Sequence, residues 1–473
     1  MNKKLKLWDA TMLVMGSMIG SGIFIVSSDM MRNLGSGYWL ITVWVITGIM
    51  TVAAAISYGE LSSMFPKAGG QYTYITEIFG KVTGFLYGWG LFTVIQTGTI
   101  AAVAMAFGKF TAYLFPALNN SQPLFQSGTF QINWVQILAI VVILLLTFIN
   151  TKGLKNGKIL QDVFTSSKII ALLGLIVFGF ILVQSSQWAA NMSFGWHSFQ
   201  DLGKVMGNDL LPTGWQPIGG VTLLGGIAAA MVGAVFSSVA WENVTFVSGE
   251  IENPKKNVVK AMVLGTVIVM ILYLLVNIVY LHALDRDGIA FADKNRPAVA
   301  ASQVIFGKTG TVIMAVLVMI STFGCINGLV LAGSRVFQTM AKDGLFFKSA
   351  ITNNSHGVPG RSLWMQGIWA CVLALSGQYG DLLDMISFVI VLFYMITVFG
   401  VIYLRIRKPE LERPYRTWLY PVTPILYLLI GAAFCTLLIW FKPQYTWPGF
   451  ILILLGLPVY WFINKNKKHE GGL

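Results

Sequence analysis

The sequence predicts an all-helical integral membrane protein of twelve spans, and three observations carry that prediction. Of 473 residues, 56% are hydrophobic and 11% charged, against roughly 25% charged in a soluble globular domain, so a water-facing surface cannot be assembled. The apolar residues fall in runs of the ~20 that cross a hydrocarbon layer about 30 Å thick. Two of these runs, each opening one half of the chain, are interrupted midway by small and polar residues, a pattern that marks internal repeats in membrane proteins.

Taken in order, the first five runs cover residues 9–31, 39–63, 83–115, 133–150 and 163–184. The next five cover 221–249, 258–283, 309–335, 362–378 and 381–404, and the last two 418–441 and 447–464. This predicts one transmembrane domain over 1–473, built as a five-span half (9–184), a second half (221–404) and two appended spans (418–464). The largest connecting loops, 184–220 and 284–308, are too short for a separate soluble domain, and residues 464–473 are expected to fray.

With the N-terminus in the cytoplasm, 23 of the 32 Lys and Arg fall in cytoplasmic segments and seven in external ones; Lys109 and Lys168 lie within spans. Positive charge collects on the cytoplasmic side of membrane proteins, so both termini are expected in the cytoplasm, in an inner membrane. The net charge of +13 is spread between apolar runs rather than gathered on one face, which excludes a nucleic-acid footprint. The first run follows Lys3, Lys4 and Lys6 as in a signal peptide, but its length and the later spans favour a transmembrane helix.

Cys325, Cys371 and Cys435 all lie inside apolar runs and are expected to be buried, inert thiols. His197, His282, His356 and His469 form no metal-ligand spacing, no phosphate-binding Gly-Lys-Ser loop occurs, and no nucleophile and base pair is recognisable. No cofactor, metal or enzymatic activity is therefore expected. Asn119 and Asn191 stand in glycosylation sequons on external loops.

The first span reads Gly16-Ser17-Met18-Ile19-Gly20-Ser21-Gly22-Ile23-Phe24. Each glycine weakens a helix by about 1 kcal/mol relative to alanine. Unwinding here would free the amides of Gly20, Ser21 and Gly22 for an anion such as a carboxylate, and carbonyls near Ser17 and Met18 for an ammonium group. The competing reading is close helix packing through small residues, which the Gly16/Gly20 spacing fits equally well. The sixth span carries Phe236-Ser237-Ser238-Val239-Ala240-Trp241-Glu242-Asn243 at its centre and can break in the same way. Glu242 lies eight residues before Glu250, roughly 12 Å along a helix. An intramembrane carboxylate marks a pathway or proton relay unless it is protonated and structural. Lys168 sits about two turns inside the fifth span, where it either snorkels to the interface or points into the bundle. In the latter case it does electrostatically what a bound sodium ion does in related architectures. Asn327 in the eighth span has donor and acceptor groups for a ligand, or for a neighbouring helix.

Gly20-Ser21-Gly22-Ile23-Phe24, Tyr58-Gly59-Glu60-Leu61, Pro66 through Tyr72, Phe164 through Lys168, Glu250-Ile251-Glu252-Asn253-Pro254, and Phe323 through Gly328 with Ser334-Arg335 together resemble the amino acid/polyamine/organocation superfamily. Within it they resemble the L-type amino acid transporter-like family and its bacterial exchangers. The resemblance, from about Lys6 to Arg416, implies a LeuT-type fold: two inverted five-helix repeats with two helices appended. It implies sodium-independent amino acid transport, with exchange of small neutral L-amino acids as the expected activity; proton-coupled uptake is the nearest alternative, and a receptor or channel a remote one. Carried over residue by residue, Ser21 and Gly22 match positions that hold the substrate carboxylate. Met18, Phe236 and Val239 match those that hold the amino group through carbonyls. Phe236 also matches the aromatic that closes over the substrate, Lys168 the fifth-helix lysine, and Asn327 a side-chain pocket position. The sequence departs at Glu242 and Val239, where L-type transporters usually carry Asn and Gly. Glu242 resembles instead the acidic residue of the arginine/agmatine exchanger, whose stacking aromatic is here Gly328. The loop 116–133 lacks the cysteine that ties animal relatives to a heavy subunit, so no disulfide-linked partner is expected.

Overall fold

The computed structural model describes residues 5–67, 69–118, 123–127, 130–153, 157–206, 209–376 and 379–470. Ala68 and Asn119 of the motifs above lie outside them. The chain enters through α1 (Leu7–Met18), separated by a short irregular segment from α2 (Val26–Leu34). Helices α3 (Gly37–Met64), α4 (Lys81–Leu114), α5 (Trp134–Thr151) and α6 (Gly157–Leu182) complete the first half. The second half repeats the order: α7 (Gly220–Ser237) and the short α8 (Asn243–Phe246), then α9 (Pro254–Ala283), α10 (Pro297–Lys342), α11 (Gly360–Ser376) and α12 (Tyr379–Arg407). Helices α13 (Val422–Phe441) and α14 (Pro443–Ile463) follow.

Among the described residues ten helices are long and apolar enough to cross a membrane. The two further expected spans are the broken α1–α2 pair and the 17-residue α11. The structure corrects the predicted bounds in physical detail. The eighth helix starts at Pro297 rather than near 309, because Gly307 adopts a positive φ of 69° and kinks a continuous element instead of ending a loop. The backbone of the last helix runs on to Glu470, where a frayed end was expected. Proline at the first position begins α9, α10 and α14, where its missing N–H costs nothing, and Asn133 with Gln136 forms a reciprocal cap at the start of α5. Cys325 and Cys435 are buried as expected, but Cys371 is only partly so.

Packing follows a regular pattern. α1 lies on α6 and α9, as α7 lies on α12 and α3; α6 packs on α9 and α10, as α12 packs on α3 and α4. α3 with α9, α4 with α10 and α5 with α11 pair directly. Facing outward are the apolar side chains expected of a lipid contact, such as Ile170, Ile181, Leu429 and Trp440. We call the face where α1 begins the N-terminal face and the opposite one the distal face.

Two clusters of charge fix the ends. On the N-terminal face the buried Glu60 of the Tyr58-Gly59-Glu60-Leu61 motif binds Arg405 of α12 through both oxygens (2.9 and 2.6 Å) and the amide of Thr417 (2.7 Å). Arg413 completes an ion pair with it at 3.3 Å. On the distal face, Asp201 accepts from the amides of Gly203, Thr213 and Gly214 and from the Thr213 hydroxyl, closing the loop after α6 over the end of α2. Burial pushes the Asp201 carboxyl up, but the bonds from Thr213, Gly214 and Gly203 outweigh it and hold it below the usual range. Asn191, a sequon residue, is buried with its amide donating to Leu281 and Leu284 carbonyls, so it pins this loop to α9 instead of offering a glycosylation site.

Replacing Glu60 by Gln strands two guanidinium groups and is expected to cost about 3–5 kcal/mol, the usual penalty for breaking a buried ion pair on one side, read as a lower melting temperature of purified protein. The Asp201 contribution depends on pH. With its folded value depressed, the loop is held at all pH above the unfolded carboxylate range of about 4 and is released as pH falls through the lower folded value. Hydrogen exchange at Gly203, Thr213 and Gly214 measures that release, and an Asp201→Asn variant is expected to show it already at neutral pH.

Candidate functional site

Both interrupted spans are broken, so the packing-only reading of the first is overturned. α1 ends at Met18; Ile19 leaves helical geometry with ψ at 84°, and a single 3₁₀ turn over Gly22–Phe24 precedes α2. α7 ends at Ser237, and Ala240 adopts a positive φ of 71° before α8 begins. An L-residue there is strained, which marks a conformation imposed by its surroundings.

Within a membrane each unpaired backbone group costs several kcal/mol, so the accounting of the broken segments is informative. The carbonyls of the first break are taken by side chains from three other helices. Lys168 Nζ of α6 donates to Gly16 (2.8 Å), Cys325 Sγ of α10 to Ser17 (3.6 Å), and Tyr273 OH of α9 to Met18 (2.9 Å). Ser321 Oγ of α10 reaches Ile19 (3.4 Å) and Tyr280 OH of α9 donates to Ile23 (3.1 Å). The amides are treated differently. Gly20 N–H bonds Met18 (2.8 Å), while among the described residues the amides of Ser21 and Gly22 donate no backbone hydrogen bond. At the second break the pattern is reversed: the carbonyls of Phe236, Ser237, Ser238 and Val239 accept none from the backbone.

The two breaks touch. A methyl group built on Gly22 would lie 2.8 Å from Ser237 Cβ and 3.0 Å from its Cα, so only glycine permits the approach. Gly20 is looser, its Cβ position 3.3 Å from Cys325 Sγ. Over this junction on the distal side lies Tyr379 at the start of α12. Its hydroxyl is 3.2 Å from Ser21 Oγ, and its ring meets that of Phe236 edge-on with centroids 6.2 Å apart. Ser21, Phe236 and Tyr379 are all buried. The site is therefore shut from the distal face. Towards the N-terminal face a cavity of about 290 Å³ opens beneath α8, between residues 246–250 and the end of α10, and the Arg335–Glu250 ion pair crosses it.

Most of the sequence-predicted residues converge on this junction. Ser17, Met18, Gly20, Ser21 and Gly22 form the first break, and Phe236 and Val239 flank the second. Of the two carbonyls expected to be open to an ammonium group, Ser17 accepts one hydrogen bond and retains a second lone pair, whereas Met18 already accepts two, from Tyr273 and from the Gly20 amide. Lys168 is 1% exposed and points into the bundle, which decides against snorkelling. Glu242 is buried beside a cluster of tyrosines. It lies beside the Tyr394 hydroxyl without a well-formed hydrogen bond, its Oε2 unpartnered, with Tyr58, Tyr87 and Tyr427 around it. Trp241 meets the same rings edge-on at Tyr58 (centroids 4.8 Å apart) and tilted at Tyr394 (5.2 Å). A void of about 10 Å³ at Val239, Tyr394 and Tyr427 has room for one water. Asn327 uses its carbonyl to accept from Asn150 of α5 (2.8 Å), the interhelical arrangement weighed above. Sequence reasoning missed Tyr273, Tyr280, Ser321 and Tyr379; a lone Tyr or Ser in an apolar run has no local signature, and only the fold aims these hydroxyls at the break.

The sequence profile of the amino acid permease family matches residues 5–463. The chain belongs to that family. Among relatives of this amino acid permease, the large neutral amino acids transporter small subunit 2 of Mus musculus is 29% identical over 473 residues, covering 99% of this chain and 82% of its own length. The serine/threonine exchanger SteT of Bacillus subtilis (strain 168) is 29% identical over 481 residues, 99% of this chain and 98% of the relative. The Asc-type amino acid transporter 1 of Mus musculus is 28% identical, with 97% and 81% covered. The resemblance to an L-type member of the amino acid/polyamine/organocation superfamily therefore holds, and the permease is a multi-pass membrane protein.

Two substitutions separate a built junction from incidental glycine packing. Gly22→Ala must displace the α7 break, an overpacking of about 1–3 kcal/mol, and is expected to lower transport roughly tenfold or more. Gly20→Ala meets only a thiol and is expected to stay close to wild type. Equal activity of both variants in proteoliposomes would show that the approach of Gly22 to Ser237 is immaterial. Lys168→Ala removes a charged hydrogen bond worth about 1.5–3 kcal/mol. It is expected to cripple transport while gel filtration shows an intact fold.

Proposed function

We propose that this chain moves small, neutral L-amino acids across a lipid bilayer by alternating access, one exchanged for another, without sodium. The observation that carries the reading is the complementary pair of breaks in contact: unpaired amides at Ser21 and Gly22, unpaired carbonyls at Phe236 through Val239. The first set suits a carboxylate and the second an ammonium group, so a zwitterion satisfies both where lipid leaves each costly. Phe236 and Tyr379 close over it. Lys168 supports independence from sodium, because its ammonium occupies the carbonyl of Gly16 that a cation would otherwise seek.

The transport of amino acids by the relatives named above supports the same reading. The packing pattern, in which exchanging α1 with α7, α3 with α9, α4 with α10, α5 with α11 and α6 with α12 reproduces the contacts, supports two inverted repeats over 9–184 and 221–404 within a twelve-span domain, α13 and α14 being appended. The bias of Lys and Arg supports a cytoplasmic N-terminal face and both termini inside a bacterial membrane. The absence of cysteine from residues 116–133 supports a carrier without a disulfide-linked heavy subunit.

A second reading, proton-coupled uptake, is favoured by one observation: the buried, unpartnered Oε2 of Glu242 among tyrosine hydroxyls. Purified protein in liposomes distinguishes the two. Exchange is expected to require amino acid on both sides and to be unaffected by replacing sodium with choline. Uptake into empty liposomes driven by a pH gradient alone would establish the proton-coupled cycle instead, and absence of any amino acid flux would end both readings.

A further inference from the structure

Lys109 of α4 stands near the distal end of its helix, directly above the junction. Its ammonium sits 4.9 Å from the centre of the Tyr379 ring. The hydroxyl of that same tyrosine touches Ser21. One aromatic ring thus separates a lysine charge from the free amides assigned above to a carboxylate.

The surroundings of Lys109 make the charge unusual. Among the charged groups near it are the cations Arg296, Arg32 and Lys294. Arg32 has its own carboxylate in Asp29 (3.2 Å) and further acceptors in Asn295 and Ala290; Arg296 is paired with Asp293. Among the described residues no carboxylate pairs with Lys109. A cation–π contact compensates part of the cost of holding a charge out of water, but leaves the ammonium with donors to spare. A cation in such a place gains by pairing with an anion.

We propose that Lys109 is the first anchor for the substrate carboxylate on the distal side. It captures the anion while Tyr379 and Phe236 are swung open, then passes it along the Tyr379 edge to the amides of Ser21 and Gly22 as they close. This rests on the exchange reading above and adds to it a residue and a direction: Lys109 governs binding from the distal face and takes no part at the N-terminal face.

The test uses the full chain in oriented liposomes with labelled L-serine, and L-leucine if serine is not carried. The KM is measured separately at each face for wild type, Lys109→Met, Lys109→Gln and Lys109→Arg. The Met and Gln variants are expected to raise the distal KM about tenfold, the factor supplied by a charged hydrogen bond of ordinary strength. Their maximal rate and their KM at the N-terminal face are expected to stay near wild type, and Arg to restore the distal KM. Serinamide, which lacks the carboxylate, is expected to compete equally weakly against wild type and variants. An unchanged distal KM, an equal rise at both faces, or failure of Arg to rescue overturns the proposal. Should Met not yield folded protein, the Gln and Arg pair decides it alone. Absence of wild-type transport defeats the exchange reading, whereas active wild type with flat variants defeats only the role of Lys109.

Discussion

A backbone polar group in hydrocarbon must be paired by the protein itself, and this constraint organises the whole molecule. Continuous helices satisfy it automatically. Two of them here do not continue, and the structure meets the resulting demand unevenly. At the first break five side chains from three other helices cover the carbonyls and leave amides free; at the second the carbonyls are left free. The asymmetry gives the junction a polarity of its own, with donors on one wall and acceptors on the other. A dipolar guest completes both.

The same constraint explains where rigidity is placed. Glu60 ties α3 to α12 and to the segment before α13, and the Asp201 loop closes over α2, so the ends of the bundle are held while its centre is interrupted. The strained Ala240 is stable only in such a frame.

Much of this was legible in the residues. Runs of apolar sequence located the spans to within a few positions, because hydrophobic length is set by the bilayer and not by tertiary context. The three glycines around Ser21 and the polar cluster after Phe236 identified the breaks, since both features weaken a helix locally. What the sequence could not express was direction. Whether Lys168 bends inward, whether Asn327 meets a guest or Asn150, and whether Glu242 lies beside a cluster of tyrosines all depend on helix rotation, which neighbours decide. The eighth span was misjudged at its start for a related reason: glycine at 307 reads as a stop in one dimension, yet flanking helix on both sides carries the chain through the kink. Hydroxyl donors such as Tyr273 and Ser321 were invisible for want of any pattern at all.

The Asn150–Asn327 bond joins α5 to α10 through amide groups buried from water, and α4 and α11 pack against the same two helices. Breaking that bond in a dry interior leaves two polar groups stranded, so these four helices are held as one packed group. The first break is tied to this group more loosely, because the contacts of Cys325 and Ser321 with its carbonyls, at 3.6 and 3.4 Å, are the longest of the five that cover them.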